Sequence, residues 1–383
     1  MQDADTGSSQ PDLVVIGASA GGVEALKRMI AALPPDLPAT VCLTLHLADD
    51  APSLLPGILA RAGAIEVLPA VDGAPLRPGV VYVSQPNVHL VVVGDHIELG
   101  SGAKENGYRP SIDVLLRSAA VARGRRVVGV VLTGMLDDGT AGLAAVARYG
   151  GVPLVQDPEE ADFPSMPRNA LRGTPAARSL PLEDLVDEVV RIVSGSSDVP
   201  GGQPEVSPAV RERDLAEVRS ALGRNPALPD GTTIGSPSPY SCPDCGGVLN
   251  EVPDDEPVRF RCRVGHAYNA ESLLRHQAHT FEEALWTALR AVEEREDVSE
   301  RLAGEAARSG RDWSHAHYAR RASDARRSAE VLREVLSQHR EDGASDGADV
   351  DTAAAAGEPG AALGSAAANG RRAGSTPLSA PGA

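Results

Sequence analysis

The stretch LVVIGASAGGVEALKRMIAAL, residues 13–33, decides the fold. An apolar β-branched run, Leu13 to Ile16, enters a turn built almost wholly of small residues, Gly17-Ala18-Ser19-Ala20-Gly21-Gly22, and a helical pattern follows over Gly22–Ala32. A glycine-rich strand–turn–helix serves one of two purposes. It brings backbone N–H groups close to a phosphate, or it displays a nucleophile at the tip of the strand. The Lys-Ser/Thr ending of a P-loop is missing, and so is G-x-G-x-x-G spacing. A serine among small neighbours lets a substrate carbonyl reach Oγ, and the helix N-terminus behind it offers N–H groups to an oxyanion. On this stretch alone an N-cap serine opening an ordinary helix is the leading reading.

Outward from this stretch, apolar runs alternate with helical patterns as far as Val193. The runs are DLVVIGAS, ATVCLTLHL, GVVYVSQ, VHLVVVGDHIEL, RRVVGVVLTGM and GVPLVQD; helical patterns fall near Gly22–Ala32, Ser53–Ala62, Ser111–Ala122, Thr140–Tyr149 and Glu183–Val193. Strands that are apolar throughout belong to a sheet covered on both faces. The expected fold is therefore α/β, a doubly wound, mostly parallel sheet. Val80–Ser84 and Val88–Val93, joined by Gln85-Pro86-Asn87, read as an antiparallel hairpin within it. Residues 1–10 read as a disordered lead, 11–195 as the α/β unit and 196–240 as a Ser/Gly/Pro-rich linker with a short helix near Ala209–Ala221. Residues 241–268 hold a cysteine cluster. Residues 269–340 read as a helical hairpin or coiled coil broken at Ser309–Asp312, and 341–383 as a disordered tail.

The 383 residues carry a net charge of −17, which disfavours a nucleic-acid partner. The N-terminus has no signal-peptide pattern, and no apolar run approaches the ~20 residues of a membrane helix. A cytoplasmic protein, not embedded in a membrane, is expected. In a parallel α/β sheet, functional groups gather at the C-terminal strand ends. Thr40–Leu45 ends at His46, and Val127–Leu132 leads into Thr133-Gly134-Met135-Leu136-Asp137-Asp138-Gly139. Singly, His46 reads as a surface residue and either aspartate as a helix cap. Together, serine, histidine and aspartate at three strand ends of one sheet point to a serine hydrolase.

The segment from about residue 12 to 194 resembles the catalytic domain of the chemotaxis protein-glutamate methylesterases, the CheB type. The resemblance rests on IGASAGG (16–22), LHL (45–47), VYVSQPNVHL (81–90), RPSIDVLLRSAA (109–120), LTGMLDDGTAGL (132–143) and MPRNAL (166–171), in that order. It implies Ser19 as nucleophile, His46 as general base and Asp138, next to the loop glycine, as acid, with Asp137 as rival. Ala20 and Met135 line the site. The implied reaction is hydrolysis of glutamyl methyl esters on a chemoreceptor-like protein, with glutamine deamidation known in relatives and no cofactor for catalysis. The alternative is a catalytically inactive, partner-binding module. Two departures stand out. The family often has a hydroxyl residue where Ala20 stands, and its chemotaxis members carry a receiver domain ahead of this unit. With only residues 1–10 before the first strand, control by such a domain in cis is not expected.

Cys242-Pro-Asp-Cys245-Gly-Gly and Cys262-Arg-Val-Gly-His266 have the spacing of a Cys3His zinc ribbon. Four protein ligands close the coordination sphere, so a structural Zn²⁺ is expected, one that supplies much of the small module's folding energy. Arg259, Arg261 and Arg263 beside it raise a nucleic-acid role, against which the overall acidity weighs. The helices beyond are expected to meet a signalling partner or a second copy.

Overall fold

The computed structural model describes residues 10–46, 53–196, 206–224, 234–252 and 257–347, side chains excepted over 339–347. Residues 1–9 of the expected leader at 1–10, and residues 348–383 of the expected tail at 341–383, lie outside the described residues.

The α/β unit runs β1 (Leu13–Ala18), α1 (Gly22–Ala32), β2 (Thr40–Leu45), α2 (Leu55–Ala60), β3 (Glu66–Pro69), β4 (Val80–Val83), β5 (His89–Val93), β6 (His96–Gly100), α3 (Ile112–Arg123), β7 (Val127–Val131), α4 (Thr140–Arg148), β8 (Val152–Gln156), α5 (Ser165–Gly173), β9 (Arg178–Leu180) and α6 (Leu182–Val193). Seven strands form one sheet in the order β3-β4-β2-β1-β7-β8-β9, and every pairing in it is parallel. Alternation along β1 explains its unbroken apolar run. Val14 and Ile16 face a core shared with Leu26, Met29, Ile30, Leu185 and Val189 of α1 and α6. Leu13 and Val15 face a second core with Ile112, Leu115, Leu116, Leu143 and Val146 of α3 and α4. Each such buried side chain contributes roughly 1.5–3 kcal/mol. The strand order turns back at β1, so the crevice beyond the C-terminal ends of β1, β2 and β7 is the switch point of the fold.

The antiparallel hairpin is present one strand later than expected. β4 is buried between β2 and β3 in the parallel sheet, while β5 pairs with β6 around Gly94-Asp95, with Gly94 at φ 53°. The apolar run VHLVVVGDHIEL conceals this turn, because the buried strand β5 and the partly buried β6 are written in one nearly continuous apolar stretch.

Part of the expected linker is structured. α7 (Pro208–Ala221) starts at an N-cap, Ser207, with proline at the first helical position, and it packs on α3. β10 (Ser236–Ser241), β11 (Val248–Val252), β12 (Arg259–Cys262) and β13 (Ala267–Asn269) form an antiparallel four-stranded sheet. Where α3, α7 and this ribbon meet, Glu105 and Glu217 are buried among Arg117, Arg259 and Arg261. Arg117 reaches Glu105 at 2.6 Å and Glu217 at 3.1 Å; Arg259 reaches Glu217 at 2.7 Å and Arg261 reaches Glu105 at 2.5 Å. Two of the three arginines beside the cysteines are therefore committed to buried carboxylates, and Arg263 alone of the three is exposed.

α8 (Ala270–Arg308) and α9 (Asp312–Gly347) pair as a hairpin that turns at Ser309–Arg311, so the helix runs past residue 341, where a disordered tail is expected. Leu285, Leu289 and Val292 meet Ala329, Leu332 and Leu336. Leu274 and Phe281, at helical spacing from these apolar residues, are 69% and 48% exposed; the seam begins only at Leu285.

Candidate functional site

Ser19 sits in the turn after β1, held by its own N–H on the Thr133 carbonyl (3.0 Å) and by its carbonyl, which accepts from Gly22 N–H (2.8 Å). Gly21 takes φ 72°, left-handed backbone that suits glycine. Gly17 has a different task. A Cβ there would lie 2.1 Å from the Ile112 side chain, so the glycine lets the N-terminus of α3 approach β1 closely. The opening glycine of the turn thus serves close helix packing.

His46 follows β2 directly. Its Nδ1 lies 3.0 Å from Ser19 Oγ and its Nε2 2.7 Å from Asp138 Oδ2. With Asp138 as acceptor, the neutral ring carries its proton on Nε2 and leaves Nδ1 to accept from the serine hydroxyl. The ring is turned round relative to the serine-protease template, in which Nε2 faces the hydroxyl. The chain of hydrogen bonds is the same. The side chains of His46 and Asp138 are 6% and 1% exposed. Tyr108 stacks flat on the imidazole, with ring centroids 3.6 Å apart and planes at 7°.

Asp138 lies in the loop between β7 and α4, facing the N-terminus of α3. Its Oδ2 accepts from His46 and from Ile112 N–H (2.8 Å). Its Oδ1 accepts from Asn106 Nδ2 (2.8 Å), Ser111 Oγ (3.0 Å), Asp113 N–H (3.1 Å) and Gly139 N–H (3.1 Å). A carboxylate at a helix N-terminus is favoured by dipole and free N–H groups alike. Burial by itself would raise this carboxyl; His46, Ile112 N–H and Asn106 outweigh it and hold the group down at about 2. Because the folded value lies below the unfolded one, the stability it contributes, about 2 kcal/mol, is fully present above about pH 4 and is lost as pH falls towards 2. The difference in unfolding free energy between wild type and Asp138→Asn is expected to shrink across that window in denaturant titrations. A constant difference would contradict a low-lying carboxyl here.

Asp137 faces the other way. Its Oδ2 accepts from Glu271 N–H (3.0 Å) and its Oδ1 from Ser272 N–H (3.2 Å) and the Ser272 hydroxyl, so it caps the N-terminus of α8. Burial raises this carboxyl to about 6. The two adjacent aspartates therefore each take one helix N-terminus, and Asp138 is the one that meets His46. Ala20 and Met135 are half-buried beside the serine turn and the aspartate loop. The Ala20 carbonyl accepts from the Thr133 hydroxyl (3.1 Å), which ties the turn to the loop. Against Ser19 the loop presents Gly134, and a Cβ on that glycine would fall 2.9 Å from Ser19 Cβ and 2.6 Å from Met166 Cε.

Asn106, Tyr108, Ser111 and Asp113 all support the site, and sequence reading assigned a role to none of them. The signal available was Asn106-Gly107, the pair that favours a two-residue turn with positive φ at both positions. They adopt 53° and 81°. That turn carries Asn106 to Asp138 and Tyr108 to His46.

At the ribbon's edge, Cys242, Cys245, Cys262 and His266 gather with their ligand atoms all within 4.8 Å of one another. Cys245 Sγ to Cys262 Sγ is 3.7 Å, and His266 Nδ1 lies 3.7 Å from Cys242 Sγ and 3.5 Å from Cys262 Sγ. A tetrahedral Zn²⁺ with ordinary Zn–S and Zn–N bonds sets such separations at roughly 3.8 and 3.6 Å, so the donor set fits that ion. Two tight turns shape it, with Gly246 N–H on the Cys242 carbonyl (2.8 Å) and Gly265 N–H on the Cys262 carbonyl (3.0 Å). No described helix is long and apolar enough to cross a membrane.

Residues 14–189 match the family model described as CheB methylesterase. A protein of Anaeromyxobacter dehalogenans (strain 2CP-C) named protein-glutamate methylesterase/protein-glutamine glutaminase 5 is 39% identical over 184 residues, 47% of this chain and 51% of that one. A relative from Leptospira interrogans serovar copenhageni (strain Fiocruz L1-130), named for the same two activities, is 33% identical over 182 residues, 47% of this chain and 94% of its own. The crystal structure of the Thermotoga maritima CheB methylesterase catalytic domain aligns with 30% identity and a TM-score of 0.46 over 48% of this chain and 99% of that one. The chain spans about half the length of the first curated relatives it matches, 51% and 53%.

Proposed function

The chain belongs to the CheB methylesterase family, and from that premise we propose that its α/β unit is a serine hydrolase that cleaves methyl esters of glutamyl side chains on a chemoreceptor-like protein. The observation that carries the reading is the unbroken run Ser19 Oγ–His46–Asp138, at 3.0 and 2.7 Å, in the switch-point crevice of the sheet. Ser19 Oγ attacks the ester carbonyl while His46 Nδ1 takes its proton, and Asp138 keeps the ring oriented and stabilises the imidazolium. The imidazolium returns the proton to the departing methoxide, which leaves as methanol. Water then adds to the acyl-serine by the same route and releases the glutamate. The Ser19 N–H is already spent on Thr133, so the oxyanion donors are the next N–H groups in the turn, Ala20 and Gly21. Among the described residues no acceptor meets either of them.

The same site acts on glutamine amides with ammonia as leaving group, the second activity in the relatives' names. The ribbon binds one structural Zn²⁺ through Cys242, Cys245, Cys262 and His266, which links the two turns and holds the small sheet together. Catalysis needs no cofactor. The helical hairpin is the surface for a signalling partner, and the cytoplasm is the expected location.

The direct test is methanol release from methylated chemoreceptor membranes by the purified chain. Release is expected, and its absence across several methylated receptors would leave the partner-binding module as the better reading. The metal assignment has its own test. About one zinc per chain is expected by elemental analysis, falling several-fold in Cys262→Ser; an unchanged metal content in that variant would remove the ligand assignment.

A further inference from the structure

We propose that Asn269, the residue joining the ribbon to α8, is a positioning residue for the Ser19–His46–Asp138 site, so that turnover requires a folded, metal-filled ribbon. This rests on the esterase reading above and extends it to regulation by the C-terminal module.

The argument starts at Asn106. Its Nδ2 donates at 2.8 Å both to Asp138 Oδ1 and to Asp113 Oδ2. A primary amide has two nearly isosteric orientations, and the wrong one would turn its oxygen towards two carboxylates. What selects the right one is the Asn269 N–H, which donates to Asn106 Oδ1 at 2.7 Å. The Asn269 side chain adds two further ties. Its Nδ2 donates to Asp113 Oδ2 (2.8 Å) and to the carbonyl of Asp137 (2.9 Å), the peptide group that leads directly into Asp138. Asn269, Asn106 and Asp138 are 1%, 2% and 0% exposed, so no water replaces these donors.

The same edge of the ribbon grips the turn from a second side. Asn106 N–H donates to the Ala267 carbonyl (2.7 Å), and a Cβ on Gly107 would lie 2.1 Å from His276 of α8. Tyr108, stacked on His46, is the next residue. Asn269 in turn ends β13, whose strand partner β12 closes on Cys262, and His266 immediately precedes β13. The metal-binding turn Cys262–His266 is thus the connection that sets β13, and with it Asn269, against the triad acid. Loss of metal frees that turn and removes the donor that orients Asn106.

The test uses the full chain. Asn269→Leu keeps the backbone N–H and near-isosteric volume but deletes the amide donors; Asn269→Ala deletes the packing as well. Three quantities are read: zinc content, kcat and KM for ester hydrolysis, and the rate at which a fluorophosphonate labels Ser19. The far-downfield proton resonance of His46 Nε2–H on Asp138 reports the geometry without any turnover. With zinc retained, both variants are expected to lose about 10- to 100-fold in kcat at unchanged KM, the scale of loss when a remote change misplaces a catalytic group, and to shift or lose that resonance. Stripping zinc from wild type with a chelator is expected to do the same, reversibly on readdition. Leu274→Ala, an exposed position on α8, is the control and is expected to match wild type. Asn269→Leu tests the side-chain ties to Asp113 and the Asp137 carbonyl, and zinc removal tests the backbone N–H that orients Asn106. Wild-type kcat and resonance in both zinc-replete Asn269→Leu and zinc-stripped wild type overturn the proposal. A wild type that neither hydrolyses esters nor labels at Ser19, but whose resonance still moves in Asn269→Leu, overturns the esterase reading while supporting the structural coupling.

Discussion

Ser19→Ala is expected to reduce methyl-ester hydrolysis by about 10⁵- to 10⁶-fold in kcat, and His46→Ala by a comparable factor, because nucleophile and base act as a unit. The double variant should be little worse than either single one. Stability should barely change in Ser19→Ala. The only side-chain partner of Ser19 Oγ among the described residues is His46, and deleting one partly exposed hydrogen bond costs about 1 kcal/mol or less. Methanol release and thermal unfolding measured on the same preparations separate the two effects. A folded Ser19→Ala protein that still releases methanol at the wild-type rate would remove the serine from the mechanism.

The second large effect distinguishes neighbours. Asp138→Asn is expected to lower kcat by about 10⁴-fold, for two reasons visible in its surroundings. Asparagine offers its NH2 group or a weaker acceptor where His46 Nε2–H and Ile112 N–H both donate, which stabilises the wrong imidazole tautomer. In its other orientation the amide sets its N–H donors against those from Asn106, Ser111, Asp113 and Gly139. Asp137→Asn should leave kcat within about tenfold of wild type and instead weaken the cap on α8, by about 0.5–2 kcal/mol. Steady-state kinetics and denaturant unfolding of the two variants give the comparison directly. If Asp137→Asn proved the more damaging to kcat at full stability, the acid would have to be reassigned.

The sequence by itself determined the parallel α/β sheet, the strand ends bearing Ser19 and His46, the cysteine–histidine spacing and the paired helices. Each of these is written in local periodicity or fixed spacing, which short-range geometry obeys: alternate residues of β1 go to opposite cores, and the Leu285–Leu289–Val292 seam repeats as a coiled coil must. The family resemblance favours Asp138 over Asp137, but the contact with His46 is visible only in the tertiary structure. The two are adjacent carboxylates of one loop and each found a helix N-terminus, so only the placement of α3 and α8 shows which one meets His46. Tertiary structure also decided that β4 stays in the parallel sheet while β5 leaves it, since buried strands of either kind carry the same apolar letters. Asn106, Tyr108, Asn269 and the Glu105–Glu217–arginine cluster were illegible for the complementary reason. Polar residues have no periodic signature of burial, and their partners lie as far as 163 positions away, as from Asn106 to Asn269. Burial makes those hydrogen bonds decisive, and burial is a property of the assembled chain.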